Sequence, residues 1–131
     1  MENVNPEIYY EYRAICLRII DGDTLELKLE IGFGLSFVDR FRLYGIDTAE
    51  THGKKSKIAE EKALGLKAVV FIKTLLFPDK INSAPLRVET IKDKKDKYGR
   101  YLAKVFVEKD GNDICINDAL LKEGLAVPFM V

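Results

Sequence analysis

The sequence predicts a mainly β domain that also contains helices. Three observations predict it: an early pair of segments with strand-like alternation, a long segment with helical spacing after the third strand, and two further strand-like segments. The length of 131 residues is that of a single domain. We therefore expect residues 1–131 to form one domain, with residues 1–9 as an N-terminal extension.

The first two strands have the clearest pattern. Residues 10–20 are rich in β-forming residues, and in residues 24–31 apolar side chains alternate with polar ones. The dipeptide Asp21-Gly22 between them is typical of a type I′ turn, whose residues take positive φ. This predicts a β-hairpin in which Asp23 begins the second strand at the rim, and a third run, residues 37–46, extends it to a meander.

Residues 56–77 change to the helical period. Ser56 is expected to cap the start of this helix, and Pro78 to end it. The apolar residues form two adjoining stripes and a face more than about 100° wide, which predicts a long core helix. Ala63, Leu66 and Val70 form one stripe; Leu64, Ala68, Phe71, Ile72 and Leu75 form the other.

The last third of the chain returns to strands. Residues 86–91 and 101–107 are the predicted fourth and fifth strands, and Asp110-Gly111 is a second turn dipeptide. Asn117 is expected to cap a short C-terminal helix that ends at Gly124. Five strands with a helix after the third match a five-stranded OB-fold Greek-key barrel. An open α+β sheet fits the same elements.

Composition restricts the function. Lys and Arg number 21, as do Asp and Glu, so a polybasic mode of action is excluded. No signal-peptide pattern is visible, so a cytoplasmic location is the default, and secretion the alternative if a signal has been removed. No membrane partner is expected, and Cys16 and Cys115 are expected to be buried thiols rather than a disulfide.

Acidic and basic side chains concentrate at three predicted strand ends or loops, where functional sites are usually built. These places are residues 21–24, which include Asp23, then Arg42 with residues 47–50, and residues 92–100. Each has a structural alternative: a polar strand end, an ion pair beside an Asx-turn or capping box, and a solvated loop. Together, carboxylates would suit a hard cation such as calcium (Ca²⁺), and arginines would suit a phosphate. Those parts fit hydrolysis of a phosphodiester.

The sequence resembles the staphylococcal nuclease (thermonuclease) family from Tyr10 onward. The resemblance is carried, in the family's order, by Ile20-Asp21-Gly22-Asp23-Thr24, Phe41-Arg42-Leu43, Asp47-Thr48-Ala49-Glu50, Asp96-Lys97-Tyr98-Gly99-Arg100 and Glu123-Gly124-Leu125-Ala126. It implies an OB-fold barrel that acts as a Ca²⁺-dependent nuclease. Family members hydrolyse DNA and RNA with little sequence preference, favour single-stranded or unpaired regions, and leave 3′-phosphate ends by cutting at the 5′ oxygen.

The resemblance also implies roles for individual residues. Ca²⁺ would be bound by the carboxylates of Asp23 and Asp47, the main-chain carbonyl of Thr48, and waters. Lys97 and Tyr98 match family positions that contact the nucleotide's other phosphate.

The implied catalytic residues are an acid and two arginines. Glu50 would act on the attacking water as general base, directly or by ordering it. Arg42 and Arg100 would hold and stabilise the scissile phosphate.

Some features depart from the family's pattern. Ala49 stands where proline is usual, and Met130 stands where the best-known members have a tyrosine. The final helix of those members is not expected within residues 1–131. The alternative function is a catalytically inactive OB-fold module that binds nucleic acid or protein, as in some domains similar to this family. A monomer or weak oligomer is expected.

Overall fold

The computed structural model describes residues 10–49, 59–95 and 99–129. Within these ranges the chain forms eight strands and two helices, in the order β1 (Tyr10–Asp21), β2 (Thr24–Gly32), β3 (Leu35–Leu43), β4 (Ile46–Thr48), α1 (Ala59–Leu76), β5 (Leu86–Lys95), β6 (Tyr101–Lys109), β7 (Asn112–Cys115), α2 (Ile116–Lys122) and β8 (Ala126–Pro128). Neither helix in the described ranges combines the length and hydrophobicity that a membrane span requires.

Five strands close into a barrel. They pair in the order β3-β2-β1-β5-β6, and a parallel pairing between β3 and β6 joins the two ends, with Phe41 opposite Tyr101. The other barrel pairs are antiparallel, and β7 extends the sheet from β6. The predicted OB-fold barrel is confirmed, and the open sheet is excluded because β3 and β6 are hydrogen-bonded.

The alternation in β2 builds the barrel core, since every second side chain of a strand points to the same face. Leu25, Leu27 and Leu29 are completely or almost completely buried. Cys16 is also buried and Cys115 is half-buried, and both are free thiols, as expected.

The first turn differs from the predicted one. Asp21 pairs with Thr24, so the turn residues are Gly22 and Asp23, and Gly22 does not have a positive φ. Glycine is needed there because of a close approach: a Cβ atom on Gly22 would lie 2.7 Å from the Oγ1 atom of Thr48. Asp23 therefore belongs to the turn instead of beginning β2, and the type I′ prediction was wrong.

The third predicted strand is two strands. A turn at Gly45, where φ is 82°, separates β3 from β4. β4 pairs antiparallel with β8, which the sequence pattern did not predict, and this pairing places Asp47 opposite Val127. The predicted fourth strand also extends further than residue 91, to Lys95.

The long helix is confirmed, but its predicted apolar face is too wide. Ala68, Ile72 and Leu76 are fully buried, whereas Leu66 and Val70 of the predicted first stripe are 52% and 61% exposed. α1 packs on β1 and β6 with one narrow face, so the first stripe faces away from the barrel. The predicted cap at Ser56 lies outside the described residues.

Asn117 does not cap α2, because it is the second residue of the helix. Its buried side chain instead bonds to the main chain of two neighbouring segments. The Oδ1 atom accepts the N–H of Val105 at 3.1 Å, and Nδ2 donates to the carbonyls of Tyr44 at 2.9 Å and Ala103 at 3.1 Å. Gly124 follows the helix with a φ of 73°, as predicted.

The loop of residues 77–85 seals the edge of β1. β1 pairs with β5 only from Tyr10 to Ala14. Beyond that point the N–H of Cys16 donates to the Oγ of Ser83 at 2.8 Å, so the loop supplies the partner that β5 no longer supplies.

Candidate active site

One end of the barrel collects five of the predicted site residues. Asp23 lies in the β1–β2 turn, Arg42 at the end of β3, and Asp47 and Thr48 in β4, while Arg100 directly precedes β6. The end of β3 is joined to the β1–β2 turn, because the N–H of the residue after Arg42 donates to the main-chain oxygen of Asp23 at 2.8 Å, and β3 also pairs with β6. The barrel thus assembles side chains that are distant in sequence.

Arg42 is the buried centre of this group. Its side chain is only 7% exposed, although it lies on the polar face of β3. The Nη2 atom lies 3.1 Å from Oδ1 of Asp47 and 3.6 Å from Oδ2 of Asp23. The Nη1 atom is buried and has no hydrogen-bond partner among the residues that the structure describes. A buried N–H without an acceptor is costly, so an anion that reached this atom would satisfy it.

Asp23 is held in a fixed position by its neighbours. Its Oδ2 atom accepts the N–H of Thr48 at 3.3 Å, and its Oδ1 atom accepts the hydroxyl of Thr24 at 3.2 Å. Burial raises the pKa of the Asp23 carboxyl above its ordinary value, and the adjacent Asp47 carboxyl adds to the rise. Arg42 and the Thr48 N–H oppose it.

Arg100 joins the group through Thr24. Its Nη1 atom donates to the Thr24 hydroxyl at 3.0 Å, and that hydroxyl bonds to Asp23. The sequence analysis included Thr24 in a motif but assigned it no role, and the side chain is buried. Its place directly after Asp23 in that motif was the available signal.

Phe129 is a second residue that the sequence analysis missed. Its ring centroid lies 4.7 Å from the Cζ atom of Arg42. No local pattern could have found this contact, because the pairing of β4 with β8 produces it.

The donor set is compatible with a hard divalent cation. Within the described ranges no group of three or more His, Cys, Asp or Glu side chains forms a ready metal cluster. Asp23 and Asp47, however, are adjacent carboxylates that share one Arg42 nitrogen, at 3.6 Å and 3.1 Å, so a single positive charge faces two acidic side chains. Carboxylate oxygens are the ligands that Ca²⁺ prefers, so these residues fit the predicted ion.

Four residues of interest lie outside the described residues: Glu50, Lys97, Tyr98 and Met130. The base at Glu50 and the substrate contacts of Lys97 and Tyr98 therefore stay predictions. The structure brings together the two arginines, the two carboxylates and Thr48.

A closed five-stranded barrel with carboxylates and arginines at one end defines an OB-fold protein with a charged site at its rim. The model of the family described as Staphylococcal nuclease homologue matches residues 40–131. This chain belongs to that family.

Three relatives illustrate the similarity. The chain is 34% identical over 129 residues to Endonuclease YhcR of Bacillus subtilis (strain 168), covering 96% of this chain and 10% of that protein. It is 30% identical to Uncharacterized protein MJ1439 of Methanocaldococcus jannaschii, covering 92% and 60%. It is 32% identical to Thermonuclease of Staphylococcus hyicus, covering 96% and 62%. The chain thus spans less than two thirds of each of these relatives.

Proposed function

We propose that this chain is a Ca²⁺-dependent nuclease that hydrolyses phosphodiester bonds of DNA and RNA with little sequence specificity. The observation that carries the proposal is the Arg42 guanidinium, which is buried and has one nitrogen without an acceptor among the described residues. A phosphate oxygen is the acceptor that an arginine favours, because the pair is charged and hydrogen-bonded. Relatives named Endonuclease and Thermonuclease support the same activity.

In this proposal Arg42 and Arg100 bind the scissile phosphate and stabilise the charge that develops on its oxygens. Side-chain hydrogen bonds hold both guanidinium groups in place: Arg42 donates to Asp47, and Arg100 donates to Thr24. Glu50 accepts a proton from the attacking water. The water oxygen forms a bond to phosphorus, and the bond between phosphorus and the 5′ oxygen breaks. The 5′ oxygen takes up a proton from solvent and leaves as a hydroxyl, so the other product has a 3′-phosphate end.

The cation is held by Asp23, Asp47 and the main-chain carbonyl of Thr48. When bound, Ca²⁺ supplies positive charge that offsets the phosphate and the two carboxylates. Without it, Arg42 alone faces both carboxylates. We therefore expect the ion to strengthen substrate binding and to be required for cleavage.

The proposed substrate is single-stranded or unpaired nucleic acid. A formal net charge of zero gives little attraction for a long duplex, whose tight binding depends on many phosphate contacts. Lys97 and Tyr98 would contact a neighbouring phosphate of the strand.

The experiment is cleavage of heat-denatured DNA with added Ca²⁺ and with a chelator. We expect cleavage only with Ca²⁺, and 3′-phosphate ends on the products. Arg42→Lys should lower kcat about 10²–10³-fold, because an ammonium cannot replace a planar guanidinium. Arg40→Lys, an exposed position in the same strand, is the matched control and should retain full activity. Glu50→Gln should lower kcat about 10²–10⁴-fold.

Absence of Ca²⁺-dependent cleavage by the unmodified chain would overturn the proposal. Binding of the denatured DNA without cleavage would then identify the inactive OB-fold module. Full activity of Glu50→Gln would remove Glu50 from the mechanism.

A further inference from the structure

The Phe129 ring lies against the Arg42 guanidinium at the rim of the barrel. The distance from the Arg42 Cζ atom to the ring centroid is 4.7 Å, within the range of a cation–π contact. The N–H of Phe129 donates to the main-chain oxygen of Gly45 at 2.9 Å. Because Gly45 lies in the turn between β3 and β4, this bond fixes the phenylalanine next to the strand that carries Arg42.

The contact completes the surroundings of the guanidinium. Asp47 and Asp23 face the Nη2 atom, and the ring packs against the cation, while Nη1 has no acceptor among the described residues. An arginine that loses water on several sides is attracted more strongly to an anion, because the local dielectric is low. It also loses rotational freedom, so less entropy is lost when a phosphate binds.

Phe129 contributes less to the core than the other phenylalanine near the site. It is 42% exposed, whereas Phe41 is 1% exposed. The contact that links the Phe129 ring to the charged site is the one with the Arg42 guanidinium. Loss of the ring should therefore disturb the barrel core less than loss of the Phe41 ring would.

We infer that Phe129 is a positioning residue for the reaction: it holds the Arg42 guanidinium in place and shields it from water, so that Nη1 stays available for the substrate phosphate. The inference rests on the proposed nuclease function. Phe129 acts through Arg42 and has no chemical step of its own.

The test compares three variants at this position with one control. Phe129→Ala removes the ring, Phe129→Leu keeps an apolar side chain without a π face, and Phe129→Tyr restores the ring. Phe33→Ala, at a fully exposed hairpin tip, is the matched control for losing a phenylalanine. Steady-state cleavage of a single-stranded oligonucleotide separates kcat from KM, and circular dichroism checks that each variant is folded.

Phe129→Ala and Phe129→Leu should lower kcat/KM about 5- to 30-fold, mainly through KM, as expected for a partly desolvated cation–π contact. Phe129→Tyr and Phe33→Ala should stay within about 2-fold of the unmodified chain. Full activity of Phe129→Leu would overturn the inference, since the ring would then be dispensable. If Phe129→Ala does not fold, Phe129→Leu decides.

A spectroscopic measurement separates this inference from the proposed function. The Nε–Hε NMR signal of Arg42 should carry a ring-current shift that Phe129→Leu removes and Phe129→Tyr retains. Titration with inorganic phosphate in chelator should move this signal, with affinity about 5- to 30-fold weaker in Phe129→Leu. If the unmodified chain does not cleave DNA, the nuclease proposal fails, and this titration still decides the role of Phe129. Equal phosphate affinities would overturn it.

Discussion

Replacing Asn117 with alanine tests whether one buried amide holds three segments of the barrel together. The side chain is 2% exposed and bonds to the main chain at Val105, Tyr44 and Ala103. Alanine would leave the Val105 N–H and the Tyr44 carbonyl without these partners. The Ala103 oxygen would be affected less, because it also accepts the N–H of Tyr44 at 2.8 Å.

The three bonds set the expected magnitude. A buried hydrogen bond contributes a net free energy of about 1 kcal/mol, so their loss should cost about 3 kcal/mol of unfolding free energy. That is a large share of the roughly 5–15 kcal/mol by which a domain is stable. With a urea m-value of about 1.5 kcal/mol/M, the midpoint of unfolding should fall by about 2 M.

Urea unfolding followed by circular dichroism measures this change. Asn112→Ala, the same substitution at an exposed position of β7, is the control and should alter stability by less than about 0.5 kcal/mol. If Asn117→Ala lowers the unfolding free energy by no more than the control does, the reasoning from the three bonds is refuted.

Three further predictions concern packing, metal and pH. Gly22→Ala should lower the unfolding free energy by about 1–3 kcal/mol, because the new methyl group would overlap Thr48. Ca²⁺ at about 100 times its Kd should raise Tm by about 8–10 °C, and Asp23→Asn should abolish the rise. Burial raises the pKa of the Cys16 thiol from 9.0 to about 11, so its contribution to stability is present below pH 9 and is lost as the pH rises through 11. From pH 8 to 11, the unmodified chain should lose about 2–3 kcal/mol more than Cys16→Ala.

Scanning calorimetry and urea titrations at fixed pH provide these measurements. Unchanged stability of Gly22→Ala would mean that Thr48 can move away from the β1–β2 turn without cost. If Ca²⁺ raises the Tm of Asp23→Asn as much as that of the unmodified chain, the ion binds elsewhere. If the unfolding free energies of the unmodified chain and Cys16→Ala change in parallel with pH, the Cys16 thiol ionises as readily in the folded as in the unfolded chain.

The parts of the fold that sequence predicts best are those whose partners are close in the chain. The β1–β2 hairpin has alternation on both sides of a short turn, and the turn at Asp110-Gly111 has the positive φ angles, 53° and 80°, that its residues favour. β4 and β8 were missed as a pair because each has three residues, too few for a period, and they lie at distant points of the sequence.

The residue types of the site were predictable, but its environment was not. Motifs indicated Asp23, Arg42 and Asp47, and the barrel brings them together. Alternation placed Arg42 on the polar face of β3, where a side chain is usually exposed, yet it is buried, with Asp23, Asp47 and Phe129 around its guanidinium. Such burial depends on tertiary pairing, which no local pattern records.

The late position of β8 delays completion of the site while the protein is being synthesised. Asp23, Arg42 and Asp47 are all added early, but the strand that pairs with β4, and the ring that packs on Arg42, arrive only with residues 126–129. At about 5–20 residues per second, the intervening stretch of roughly 80 residues takes about 4–16 s to add. A nascent chain therefore carries the charged side chains for seconds without the contacts that β8 and Phe129 supply.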